Sequence, residues 1–248
     1  ILNKKILTPY SLIKKRASVY SVCLEKKDKL RCVIVDLDLG NTGSLRYFLE
    51  DNGCQVNLTY NHDEILEADV VWIPGVGNFE EGAKKLKDRK LFDPLTQRFK
   101  EGKWIIGICL GMHLLGITSD ESNSNLKGLG LFKSEVRRIS NTGHSINSLK
   151  LPHIGWDKAD FNTNQFDSGN LYYFIHSYAY LFIDNSQFTD FALSNYAGIN
   201  FYSYLRVKNT MGFQFHPEKS GADGYTLLNK ILDLIQNDNK MDTLSIET

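Results

Sequence analysis

From Cys32 onward, short apolar runs alternate with helical stretches. That alternation limits the fold more than any other property, because β and α units in turn build a parallel sheet covered on both faces. Cys32-Val33-Ile34-Val35-Asp36-Leu37 reads as a buried strand. Residues 43–52 follow as a helix with Leu45, Phe48 and Leu49 on one face and Gly53 as its closing residue. Residues 54–59 and 69–73 predict further strands around a short helix at 63–68, and 103–108 predicts another strand after a helix at 92–100. The second half changes character. Residues 131–139, 149–154, 171–180, 191–196, 201–207 and 211–215 are strand-like and joined by Asn-, Gly- and Ser-rich turns, with a closing helix at 225–235. The expected fold is α/β: an open, mostly parallel twisted sheet with helices on both faces and antiparallel hairpin extensions.

A length of 248 residues fits one such domain, expected at 32–237, with a tail at 238–248. Residues 1–31 are expected outside the core as a basic extension: up to Leu24 they carry Lys4, Lys5, Lys14, Lys15 and Arg16 and no acid. A targeting peptide, the end of a fused upstream region and an artificial extension all fit that segment, whereas its lysine-broken apolar stretches do not fit a secretory signal. Lys plus Arg and Asp plus Glu both total 29, so no global field steers the chain to nucleic acid or anionic lipid. No run approaches the roughly 18 apolar residues of a membrane span. Cys23, Cys32, Cys54 and Cys109 form no CxxC pair and lack metal-ligand spacing, so a reducing, cytoplasmic home without a metal or other cofactor is expected.

In such sheets ligands bind beyond the carboxyl ends of strands, which directs attention to residues just after Ile73, Ile108 and Phe215. Gly107-Ile108-Cys109-Leu110-Gly111 follows a strand and opens a helix, the arrangement of a nucleophile elbow with Cys in place of Ser. Flanking glycines relieve the crowding at so sharp a turn, and a helix N-terminus beneath favours a thiolate. A buried structural cysteine is the competing reading. Phe215-His216-Pro217-Glu218 supplies a base at another strand end, with Glu218 two residues on and able to hold the ring. The H-x-E spacing also occurs in zinc deaminases, but no cysteine follows Cys109 to complete their site. Pro74-Gly75-Val76-Gly77 offers backbone N–H groups to an oxyanion alongside the N–H of Leu110. A dinucleotide fingerprint would need glycine at 80, where Glu80 and Glu81 stand and would repel a pyrophosphate.

With Pro152-His153-Ile154-Gly155-Trp156, Tyr173-Phe174-Ile175-His176-Ser177-Tyr178 and the run from Gly212 to Ser220, these stretches resemble the class I, triad-type glutamine amidotransferases. Within them the chain is similar to the glutaminase subunits of imidazole glycerol phosphate synthases. The resemblance implies that Cys109 attacks the side-chain amide of L-glutamine, His216 shuttles protons and Glu218 orients it. It implies an oxyanion hole from Gly75, Val76, Gly77 and Leu110, with Ser177 and Tyr178 against the substrate. It further implies a synthase partner accepting the ammonia, a (β/α)8 barrel, with Lys219 beside the triad contacting it. His153 and His176 are read as structural histidines, and His62 and His144 as turn or loop residues.

The family usually has Gln four residues after the cysteine; here it is His113, expected on the same helical face and against the substrate. The usual Asp-Tyr-Gly-x-Gly-Asn motif reads Asp36-Leu37-Asp38-Leu39-Gly40-Asn41. These departures keep two alternatives open: ammonia supply for cell-surface sugar amidation, and a catalytically impaired glutaminase-like binding subunit.

Overall fold

A computed structural model describes residues 29–40, 42–140 and 149–246, with side chains through Met241. The leading basic segment through residue 28, with Cys23, and also His144 lie outside the described residues. The strands are β1 (Arg31–Val35), β2 (Gln55–Thr59), β3 (Val70–Gly75), β4 (Trp104–Cys109), β5 (Arg137–Arg138), β6 (His153–Lys158), β7 (Asp160–Phe161), β8 (Leu171–His176), β9 (Tyr178–Ala179), β10 (Asp190–Tyr196), β11 (Ile199–Val207) and β12 (Thr210–Phe213). Eight of them form one sheet in the order β2-β1-β3-β4-β12-β11-β10-β7. Pairing is parallel from β2 to β12 and antiparallel from β12 to β7. Two small ladders, β6·β8 and β5·β9, stand apart from it.

The near-continuous apolar runs arise because successive side chains face opposite layers and both layers are covered. Cys32 and Ile34 point into one core, with Leu45, Phe48 and Leu49 of α1 (Gly43–Asp51). Val33 and Val35 point into the other. There they meet Ile65 of α2 (His62–Glu67), Phe79, Ala83 and Leu86 of α3 (Phe79–Asp88) and Leu95 of α4 (Phe92–Lys100). Each such aliphatic or aromatic side chain contributes roughly 1.5–3 kcal/mol by leaving water. The elbow helix α5 (Leu110–Leu114) is short and wholly buried.

Arg98 of α4 is fully buried. Its guanidinium donates to the carbonyls of Ile65 at 2.9 Å, Ala68 at 2.8 Å and Trp104 at 2.8 Å. Burial lowers its pKa to about 10, against the opposing pull of Asp69 and Glu101. The group stays charged at neutral pH, and its desolvation is compensated by backbone oxygens.

Three expectations are corrected. Residues 131–139 are not one strand: the two-residue β5 and a single bridge from Val136 to Ser119 are the pairings among them. Leu131, Phe132, Val136 and Ile139 are instead buried by a loop whose backbone bonds run to residues 115, 117, 118 and 177, as in Phe132 N–H to Leu115 and Val136 N–H to Thr118. The strand expected at 149–154 is β6, four residues later, after the cis Leu151–Pro152 bond. The closing helix α6 (Gly221–Ile246) is longer than 225–235 and crosses the expected tail boundary. Asp238 explains this, because its Oδ2 accepts from Trp104 Nε1 at 3.1 Å and Asn209 Nδ2 at 2.8 Å, tying the extra turns to the sheet.

Candidate active site

Cys109 is the last residue of β4 and lies level with Gly75 at the end of β3. Its φ of +52° is unusual for a residue with a side chain and costs roughly 1–3 kcal/mol, which the surrounding structure must hold in place. The flanking glycines have steric causes. A Cβ on Gly111 would sit 1.6 Å from the Ile73 carbonyl oxygen, and one on Gly107 would sit 2.7 Å from the Gly111 backbone. The Cys109 thiol donates to the Ile175 carbonyl at 3.9 Å.

His216 is carried past the end of β12 and fixed by its own backbone. Its N–H donates to the Tyr173 carbonyl at 2.9 Å. The Ser220 hydroxyl donates to the His216 carbonyl at 2.6 Å and accepts from the Tyr173 N–H at 2.9 Å. The ring Nδ1–H donates to Glu218 Oε1 at 2.8 Å, and both side chains are buried. Nε2 is buried with the Cys109 sulfur as its neighbour, placed to hold the proton that the thiol gives up. Burial by itself disfavours charge on this ring, but the Cys109 sulfur and the Glu218 carboxylate outweigh it and push His216 up to about 10.

A pocket of about 320 Å³ opens on Cys109. Val76, Gly77, Leu110, His113, Ser177, Tyr178 and Lys219 line it. Gly75 does not: it sits behind the elbow, where a Cβ would lie 3.2 Å from Leu110 Cβ, so its lack of a side chain serves close approach of β3. Val76 departs from the expectation in a second way. Its N–H donates to the Leu39 carbonyl at 3.3 Å and so is committed to the 36–40 loop. That loop can lie so close because Gly40, at φ +108°, has no Cβ to strike Val76 Cγ2.

His113 also needs correction as a substrate contact. It borders the pocket but is buried, and its Nε2–H donates to Gln214 Oε1 at 2.8 Å. Burial lowers its pKa to about 4 despite support from Gln214 and the Tyr178 backbone, so the ring is neutral and its Nε2 donor is spent on Gln214. Folded-state depression of a histidine pKa means stability is fully present above about 6.5 and lost as pH falls through 4. We expect roughly 1.5 kcal/mol of stability to be lost between pH 6.5 and pH 5 through His113 alone. His153 and His176, also lowered by burial, add to the loss. Urea unfolding across this range checks it; a His113→Gln variant with an equally steep pH slope would disprove the assignment.

Glu121 was not legible in the sequence. It sits in a polar loop, yet its side chain lines the pocket while Oε2 accepts the Phe79 N–H at 2.8 Å. Burial raises its pKa, against the opposing hydrogen bond from Phe79. No spacing or motif marks this lone acid. His62, expected in a turn or cap, opens α2 after the Asn61 cap, with its Nε2 3.1 Å from the Arg89 carbonyl.

An elbow cysteine beside a carboxylate-held histidine, at the carboxyl edge of an open α/β sheet, defines a class of thiol-dependent amide-cleaving proteins. The class-I glutamine amidotransferase family model matches residues 33–233, and the chain belongs to that family. Among its relatives, imidazole glycerol phosphate synthase subunit HisH of Listeria innocua is 37% identical over 200 residues, covering 79% of this chain and 92% of the relative. The subunit of the same name from Bacillus velezensis is 34% identical with the same coverage. Among solved structures, a glutamine amidotransferase shares the fold with a TM-score of 0.62 at 17% identity, covering 82% of this chain and 98% of the other. PurLQS from Thermotoga maritima does so with a TM-score of 0.63 at 20% identity, covering 84% of this chain and 99% of that chain.

Proposed function

We propose that this chain is the glutaminase subunit of an imidazole glycerol phosphate synthase, hydrolysing L-glutamine and passing ammonia to a synthase partner in histidine biosynthesis. The observation that carries the reading is His216, buried between Glu218 and Cys109, with Cys109 opening on a pocket of about 320 Å³. The Cys109 sulfur attacks the side-chain amide carbon, forming a C–S bond. His216 then gives its proton to the leaving nitrogen as the C–N bond breaks. Water, deprotonated by His216, cleaves the glutamyl thioester to release glutamate and restore the thiol. Glu218 holds the ring and stabilises its imidazolium form. Leu110 and Gly77 border the place where the oxyanion develops, Ser177 and Tyr178 flank the substrate, and Glu121 offers a counter-charge to its ammonium group.

Ammonia is useful to a synthase only if delivered before it is protonated and diluted, so the acceptor must dock over the pocket. An exposed apolar face made by Ile154, Trp156, Leu171 and Ile175 supports such docking next to Lys219. We infer a (β/α)8 barrel partner, a heterodimeric lyase complex and a cytoplasmic location, in keeping with Cys32, Cys54 and Cys109 as free thiols. No helix among the described residues is long and apolar enough to cross a membrane.

The engaged Val76 N–H makes a direct test. With that donor held by Leu39, the isolated subunit should hydrolyse glutamine slowly. Adding the liganded synthase should raise turnover by about 10²-fold, the worth of one oxyanion donor. Glutamate release measured with and without the synthase decides it, and equal turnover in both would overturn the proposed dependence.

A further inference from the structure

At the pocket wall, His176, which lines the pocket, faces His153 behind it across the β6·β8 ladder, paired in register. Both are buried. His176 Nδ1 lies 2.9 Å from the Tyr178 carbonyl, and its Nε2 lies 3.3 Å from His153 Nδ1. His153 is stacked between Phe174 and Tyr196, at ring separations of 5.1 and 4.0 Å, which sets its plane. Asp157 Oδ2 lies 3.3 Å from His153 Nε2 at the outer end. Donor counting then fixes the proton of His176. A carbonyl only accepts, so His176 must carry its proton on Nδ1. Its Nε2 is then bare and faces His153 Nδ1, while the Asp157 carboxylate accepts from a proton on His153 Nε2, so a neutral His153 serves one neighbour or the other.

We propose that His176 is a positioning residue for the pocket, its Nδ1–H holding the Tyr178 carbonyl and hence the Ser177–Tyr178 wall. The choice of glutamine as the bound molecule rests on the function proposed above. The wall needs such a support because β9 contributes only two residues to its ladder with β5. His176 does not touch the reacting atoms in this scheme. Its effect is on where Ser177 and Tyr178 stand when substrate arrives.

The test uses the full complex with its synthase. Leucine at this position, His176→Leu, removes the donor. It should raise KM for glutamine about tenfold, the scale of one lost hydrogen bond, while kcat changes by less than about threefold. Asparagine places an amide N–H near the position of Nδ1, so His176→Asn should return KM to within about threefold of the parent. Nitrogen-15 NMR of the unsubstituted protein should show His176 protonated at Nδ1 and bare at Nε2. A proton on Nε2 of His176, or an unchanged KM in His176→Leu, would overturn the proposal. If His176→Leu does not fold, the tautomer and the KM of His176→Asn decide, a tenfold rise in the latter counting against it. Absence of any glutamine hydrolysis by the unsubstituted complex would instead defeat the functional reading, while the NMR result would still report on the hydrogen bond.

Discussion

Cys109→Ala is expected to reduce glutamine hydrolysis by a factor on the order of 10⁴ to 10⁶, as loss of a covalent nucleophile does elsewhere. The pocket and His216 remain, but no atom is left to form the thioester. Alanine is smaller than cysteine and meets the same positive φ, so the fold should persist, with unfolding midpoints close to the parent. A second reading accompanies the first. Because the Cys109 sulfur helps raise His216, its removal should lower the ring's pKa from about 10, leaving Glu218 as the main opposing influence to burial. Histidine NMR titration would follow that shift. Retained glutaminase activity in a folded variant would end the assignment of Cys109.

The second large effect is structural. Gly111→Ala would drive a Cβ into the Ile73 carbonyl, with 1.6 Å to its oxygen and 2.7 Å to its carbon. Both atoms belong to the backbone of a central strand, so no side chain can swing aside. The elbow and β3 must separate, at a cost of at least about 3 kcal/mol. A fall of roughly 10 °C in the thermal midpoint is expected for a domain of this size. Gly102→Ala is the control. At φ +72° with nothing within 4 Å of the new Cβ, it carries only conformational strain and should cost about 1 kcal/mol. Equal midpoints for the two variants would show that the elbow tolerates the separation.

The parallel half of the sheet was legible because burial on both faces writes itself as unbroken apolar runs at 32–35, 70–73 and 104–108. The elbow and the His-Pro-Glu turn were legible for a similar reason, since their chemistry lies in contiguous residues. The second half was harder to read. In β6 the outward side chains are Ile154 and Trp156 while the inward face carries His153, so the usual alternation is inverted and the strand was placed too early. The apolar residues of 131–139 are buried by a loop, and burial alone imitates a strand. Helix α3 is obscured in the sequence by its charged residues, Glu80 and Glu81 among them, although Phe79, Ala83 and Leu86 form its buried face. His113 illustrates a further limit: helical spacing placed it at the pocket, but only the fold brings Gln214 within reach of its donor.

The guanidinium of Arg98 gives the molecule a mechanical polarity. It fastens the end of α2, the connection into β3 and the first residue of β4 at the edge of the sheet opposite the elbow. Separating any one of these strips a buried cation of its oxygens, so they open together, and slowly exchanging amides should cluster at that edge. At the carboxyl edge the 36–40 loop is held from outside, by Lys85 and Arg89 on Asp38, whereas toward Cys109 its backbone meets the Val76 N–H through the Leu39 carbonyl at 3.3 Å. With the base clamped and the loop tethered through Asp38, the long Leu39–Val76 contact can open and let a peptide group beside Cys109 reorient without loosening the sheet that carries the thiol.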